Sequence, residues 1–338
     1  MRTRIFLVRG VVLALALGFG SHPAIAGAAP KWNGLGRWPT GKVFVPKKDF
    51  TKKEDDELDQ QVLAANPRLY LYPDFDIGAD DKILIIGLPG WGGRSENFIH
   101  TLINGLNKPG LTKRLVVAAI QDLENGGPTY QGQGARAHAN VWALGGDTVK
   151  AMRRFIARIA NKVGFVTTYF FGYSTGSYSG PILGAAVARW IPKGKYKMGG
   201  CVSVGTGSPI AASRLKDKNQ RVLYIVVPTY RGEAVDGKPM RDDQNNRLRA
   251  ERCHKKLKQE GVDVHLRLIE SARRHVDWHW GLLSQCRFFA TKRIDPGRGY
   301  YPNYWMPNPE TYDYVVPFIQ GKDPPAKAAN HPLQKCPY

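Results

Sequence analysis

The chain has 338 residues, 43% of them hydrophobic and 23% charged, and carries a formal net charge of +21. That length holds one large α/β domain or two small ones, and the apolar content is ordinary for a globular protein with a real core. Beyond the N-terminus no run of 18 or more apolar residues exists, which excludes a further membrane-spanning helix.

The N-terminal residues stand apart from that core. Arg2, Arg4 and Arg9 precede the apolar run "VVLALALGFG" (11–20), and "AIA" (24–26) places small residues at a cleavage spacing. Residues 1–26 read as a secretory signal peptide cleaved near Ala26, which predicts a secreted or periplasmic chain with no stable membrane anchor. An uncleaved N-terminal anchor is the alternative reading, and the absence of a cysteine after Ala26 disfavours a lipoprotein. Without the three signal arginines the charge is about +18.

Residues 27–65, polar with scattered Lys and Pro, predict an N-terminal extension of little regular structure. "RLYLY" (68–72) predicts a strand, "PDFDIGADD" a turn, and "KILIIG" (82–87) and "LVVAAI" (115–120) buried strands. The Gly-, Gln- and Asn-rich segment 121–146 is long enough to contribute to a site. In "DTVKAMRRFIARIANK" (147–162), Val149, Met152, Phe155, Ile156 and Ile159 recur at helical spacing behind Asp147, a credible N-cap. Then follow a strand at "FVTTYFF" (165–171), a helix at "PILGAAVARWI" (181–191) and a strand at "CVSVG" (201–205). The last elements are a strand at "RVLYIVV" (221–227), a helix at 242–259, a strand at "VHLRLI" (264–269) and a helix at "WGLLSQCRFFAT" (280–291). Short apolar strands alternating with helices predict a mostly parallel central sheet with helices on both faces. Residues 66–293 form this domain, and the aromatic, Pro-rich tail 294–338 is expected to pack on it.

Four cysteines remain in the mature chain, Cys201, Cys253, Cys286 and Cys336. In an oxidising compartment they permit two disulfides in three connectivities, with Cys336 tying down the tail. Cys201 reads equally well as an inert buried thiol. No C-x-x-C spacing suggests a metal site. The positive charge favours anionic partners, yet it is spread along the chain and accompanies no nucleic-acid-binding signature, so a solvated basic surface is the preferred reading.

The segment with the most chemistry is "YFFGYSTGSYSG" (169–180). Gly172-Tyr173-Ser174-Thr175-Gly176 is a G-x-S-x-G pattern between a predicted strand and a predicted helix. A nucleophile elbow needs that context, because its sharp turn leaves no room for bulky neighbours. Pro181 fits less well, since it falls where the following helix should already be running. A serine needs a base to take its proton, and the partners of such an elbow follow in the order acid, then histidine. His275, a short loop beyond the last strand, is the candidate base and His279 the reserve. His254, in a basic helix, His265, opening a strand, and His331, in the tail, suit the role less well. The i,i+4 pair His275/His279 lacks the glutamate of a zinc-protease motif. For the acid, the loop after "RVLYIVV" offers Asp236, with Glu233 second and Asp242 third. Asp242 is more simply explained as a helix N-cap. The oxyanion would be received by the N–H of Thr175 and by the glycine-rich loop "LPGWGGRSENF" (88–98), where Trp91 is positioned to donate. That loop has no Walker lysine, which argues against nucleotide binding.

"YLYPDFDIGADDKILIIGLPGWGGRSENF", "GYSTGS" and "RRH" together resemble the α/β-hydrolases, and among them the secreted esterases of the polyhydroxybutyrate-depolymerase and feruloyl-esterase kind. The resemblance covers roughly residues 66–290. It implies an α/β-hydrolase fold and cleavage of carboxylic esters through an acyl-serine, with a small-molecule or polymer ester as substrate and no metal or organic cofactor. The chain departs from that pattern at three places. Pro89 stands where those enzymes usually carry histidine, Thr-Gly-Ser follows Ser174, and "YRGEAVDG" does not match their acid loop. Two other readings remain: a peptidase, lipase or acyltransferase built on the same serine, and a non-catalytic basic binder of anionic polymers or cell-wall components.

Overall fold

A computed structural model describes residues 40–45, 67–89, 95–120, 146–173, 175–188, 196–205, 207, 215, 220–226, 234–235, 238–239, 241–269 and 309–329. The chain divides into two compact units, Met1–Arg37 and Trp38–Tyr338, and every described residue belongs to the second.

Seven strands form one sheet: β1 (Arg68–Leu71), β2 (Lys82–Leu88), β3 (Leu115–Ala119), β4 (Val166–Tyr173), β5 (Tyr196–Val204), β6 (Arg221–Val226) and β9 (Val264–Leu268). Their order is β1-β3-β2-β4-β5-β6-β9, and only β1 runs antiparallel to its neighbour. A separate two-stranded hairpin pairs β7 (Ala234–Val235) with β8 (Lys238–Pro239). Among the described residues the α-helices are α1 (Ser95–Gly105), α2 (Gly146–Val163), α3 (Thr175–Ala188), α4 (Arg241–Gln259) and α5 (Pro309–Ile319). This is a mostly parallel α/β sheet covered by helices on both faces.

The continuous apolar strands follow from that double cover. Alternate residues of β2 divide between two cores: Leu84, Ile86 and Leu88 face α2, α3 and α4, while Ile83 and Ile85 face α1 and α5. All of these are essentially inaccessible to solvent. Each such side chain contributes roughly 1.5–3 kcal/mol by leaving water, so a polar alternation would forfeit one of the layers. In α2, Met152, Phe155, Ile156 and Ile159 join the first core, as their spacing predicted.

Local irregularities have identifiable causes. Thr168 pairs with Met198 and Tyr169 with Gly200, so Gly199 is an extra residue in β5. A Cβ on Gly199 would lie 2.3 Å from the Tyr169 ring, and Gly200 has φ +147° with Arg221 O against it. The two glycines make the bulge possible. The helix expected at 181–191 starts six residues earlier, at Thr175, and contains Pro181. Proline has no N–H for the carbonyl four residues back, that of Ser177. Ser203 Oγ donates to Ser177 O at 2.8 Å, so β5 supplies a hydrogen bond where the helix cannot.

At the C-terminus, α5 packs on the α1 side of the sheet. Tyr312 donates to Thr101 O at 3.1 Å and its ring lies against Gly105. Arg221, at the start of β6, gathers the residues beyond α5. It pairs with Asp263 (2.6 Å) and Asp323 (2.9 Å), donates to Phe318 O and Lys322 O, and lies over the Phe318 ring. The helix expected at 280–291 lies outside the described residues. Cys201 and Cys253 are free thiols, which corrects the two-disulfide expectation; Cys286 and Cys336 lie outside the described residues. Burial pushes the Cys201 thiol far up, as its reading as an inert thiol requires.

Candidate functional site

The middle strand of the sheet, β4, ends at Tyr173, and α3 begins at Thr175. A single position, 174, therefore joins the strand to the helix. Both glycines of the motif are required by backbone contact. A Cβ on Gly172 would lie 2.1 Å from Gly176 O and 2.7 Å from Ser177 Cα. A Cβ on Gly176 would lie 2.1 Å from Leu88 O and 2.7 Å from Pro89 O. No L side chain fits either gap. Gly180 differs, because the nearest atoms to its Cβ position are 3.7 Å away, an ordinary contact.

The Gly176 contact also locates the turn. From β2 the chain passes to β3 on one side and then to β4 on the other, so the carboxyl ends of β2 and β4 form the topological switch point. Ligands of open α/β sheets bind in the crevice there. Tyr173 stacks on Phe98 of α1, with ring centroids 6.3 Å apart, so an aromatic wall lies between the turn and the first helix.

Two other chain segments leave the same end of the sheet. The loop expected to carry the acid departs from Val226, and the segment carrying His275 departs beyond Ile269. Ile269 N–H donates to Val226 O at 2.9 Å, which holds the two departure points side by side. Sequence reasoning missed the β7–β8 hairpin, although its signal was present. An Asp-Gly pair between two short extended stretches is a strong hairpin signature.

Ser174, Trp91, Glu233, Asp236, His275 and His279 lie outside the described residues, as does His331. Thr175 is the first residue of α3, so its N–H belongs to the helix N-terminus, where a helix attracts negative charge. Asp242 is the second residue of α4, inside the first turn and not at the cap, which corrects its reading as the N-cap.

Two histidines are settled by position. His265 pairs with Leu223 near the start of β9, at the opposite end of the parallel strands from position 174. Its Nε2 lies 2.8 Å from Asp263 and 3.4 Å from Arg221. Burial lowers its pKa, Asp263 and Asp323 oppose the shift, and Arg221 and Arg267 add to it. His254, on α4, donates a ring N–H to the backbone carbonyl of Val264 beside that same strand start, a contact that raises its pKa against the lowering by burial. Neither histidine is placed to serve as the base.

Asp263, His265 and Asp323 bring three atoms of metal-ligand type within 4.8 Å of one another. The Arg221 guanidinium already lies between the two carboxylates, which makes the group an ion-pair clasp on the tail.

No protein-family model matches the chain, and no curated protein matches it. Among solved structures the chain is similar to esterase PE8 at 15% identity, with 58% of this chain and 86% of that one covered and a TM-score of 0.38. It is also similar to a highly thermostable carboxyl esterase from Bacillus coagulans, at 10% identity over 62% and 86% of the two chains, TM-score 0.38. Est1E from Butyrivibrio proteoclasticus aligns at 13% identity over 60% and 84%, TM-score 0.35. Likenesses at this level transfer no residue role and no substrate.

Proposed function

We propose that the protein is an exported serine hydrolase that cleaves carboxylic esters through an acyl-serine intermediate. The observation that supports this best is the turn at position 174. One residue links the central strand to a helix, at the switch point, between two glycines that touch backbone on both sides.

In this reading His275 takes the proton of Ser174 Oγ as the oxygen attacks the ester carbonyl. The carbonyl oxygen becomes an oxyanion and is received by the N–H groups of Thr175 and Trp91. The tetrahedral adduct collapses, the C–O bond to the alcohol breaks, and the imidazolium returns its proton to the leaving oxygen. Water then repeats the sequence on the acyl-serine and releases the acid. Asp236 holds the imidazole tautomer and stabilises the imidazolium, with Glu233 as the alternative acid. The positive charge of the chain suits an ester whose acid or polymer part is anionic.

Ser174→Ala tests the proposal. Hydrolysis of p-nitrophenyl esters should fall by about 10⁴-fold or more, fluorophosphonate labelling should disappear, and thermal unfolding should be nearly unchanged. Asp236→Asn and Glu233→Gln then separate the two acids, since only the true partner should cost comparable activity. Full activity in Ser174→Ala would overturn the assignment.

A further inference from the structure

Helix α4 carries a positive charge that its packing does not use. From Arg247 to Glu260 the sequence holds six lysines and arginines against two glutamates. Ala250 and Leu257 enter the core, while Arg249, Arg252, Lys255, Lys256 and Lys258 are exposed. Glu251 is already occupied, because it accepts from Arg247 at 2.8 Å. Arg249 donates to the Tyr178 hydroxyl of α3 and lies over its ring. Arg252, Lys255, Lys256 and Lys258 pair with no carboxylate among the described residues. Arg249, Arg252, Lys255 and Lys258 follow one another at three-residue intervals, about 4.5 Å apart along the helix axis, with Lys256 beside them. Residues three and four apart are neighbours on a helix surface, and like charges there oppose the helix by about 0.2–0.5 kcal/mol a pair. A solvated helix face gains from alternating signs, as at Arg247 and Glu251, and this row forgoes that gain. Burial lowers the pKa of His254 and Lys258 lowers it further, so the positive potential reaches a full turn back along the helix.

We infer that the exposed face of α4 is a docking surface for a linear anionic polysaccharide, one with carboxylates at short, regular intervals. Shape and composition both favour that partner. The cations form one row on a convex helix, which a thread can follow and a flat bilayer meets at few points. Leu248 is the only large apolar side chain exposed on α4 among the described residues, so the face has nothing to sink into a membrane. The ring beside the row, that of Tyr178, is covered by Arg249, so it offers no platform for the stacked bases of a single-stranded nucleic acid. Three of the five exposed cations are lysines, whose point charges follow a flexible polymer without demanding the fork geometry that an arginine imposes. No residue of the proposed triad takes part, so the inference stands apart from the hydrolase reading.

Fluorescence anisotropy of labelled polygalacturonate, titrated with the full chain at several salt concentrations, tests this. The wild type should bind, and log Kd should rise linearly with log salt, because each contact releases a counterion. The triple variant Arg252→Gln, Lys255→Gln, Lys256→Gln should weaken binding about tenfold or more and lower the salt slope by about two to three. Its unfolding midpoint should stay or rise, since the substitutions relieve repulsion between exposed groups. The comparison is Lys42→Gln, Lys108→Gln, Lys113→Gln, which removes the same charge from exposed lysines near β1 and β3, at the other edge of the sheet. That variant should change Kd by less than about twofold. Equal weakening in the two triple variants would overturn the inference, because the diffuse charge of the whole chain would then explain the binding. No binding by the wild type at low salt would also overturn it. So would a tighter affinity, lost in the α4 variant, for phosphatidylglycerol vesicles or for single-stranded DNA. Ser174→Ala should bind the polymer as the wild type does, and reduced binding there would show that the polymer sits elsewhere than on α4.

Discussion

Replacing Ser203 by alanine removes a hydrogen bond whose cost follows from a proline twenty-two positions earlier. Pro181 has no N–H to offer Ser177 O, and Ser203 Oγ supplies one at 2.8 Å from the neighbouring strand. Both serines are completely buried, so water cannot take over when the hydroxyl is lost. A buried hydrogen bond contributes about 1 kcal/mol net, so Ser203→Ala should destabilise by about 1 kcal/mol. Pro181→Ala restores an N–H that helix geometry directs at the same carbonyl, so the Ser203→Ala cost should shrink in that background. The assay is a double-mutant cycle in urea, read from midpoints at unchanged slope. Equal costs of Ser203→Ala in the two backgrounds would refute the idea that β5 compensates for the proline.

Gly176→Ala should abolish fluorophosphonate labelling and lower the unfolding midpoint, because its methyl carbon would stand 2.1 Å from Leu88 O, a backbone atom that cannot rotate away. Gly180→Ala, with no atom closer than 3.7 Å, should be tolerated and gain up to about 1 kcal/mol of helix preference. Wild-type labelling in Gly176→Ala would contradict the elbow geometry. Acidification should also weaken the fold through His254 and His265. Burial lowers both pKa values below the ordinary 6.5, so the unfolded chain binds their protons first. Their stabilisation is therefore present above about pH 6.5 and lost as the pH falls through the folded values. Urea midpoints at pH 7.5 and 5.0 should differ in that sense, and the difference should narrow in His265→Gln. An unchanged difference would show that other groups carry it.

Much of the fold can be read from the sequence because it depends on near neighbours. A strand buried on both faces must be apolar at every position, as in "KILIIG", and a helix lying on a sheet must repeat its apolar residues every three or four, as in residues 147–162. The glycines on either side of Tyr173-Ser174-Thr175 announce a tight turn for the same local reason. Other features join residues far apart along the chain, and no local pattern encodes them. That Gly176 abuts Leu88, that Ser203 serves the helix containing Pro181, and that His265 lies at the far end of the sheet all follow from strand order. So does the docking of α5 and of the tail along β9. The antiparallel entry of β1 belongs with them. Strand order is decided by which buried faces meet when the loops close, and that competition among contacts exists only in the folded chain.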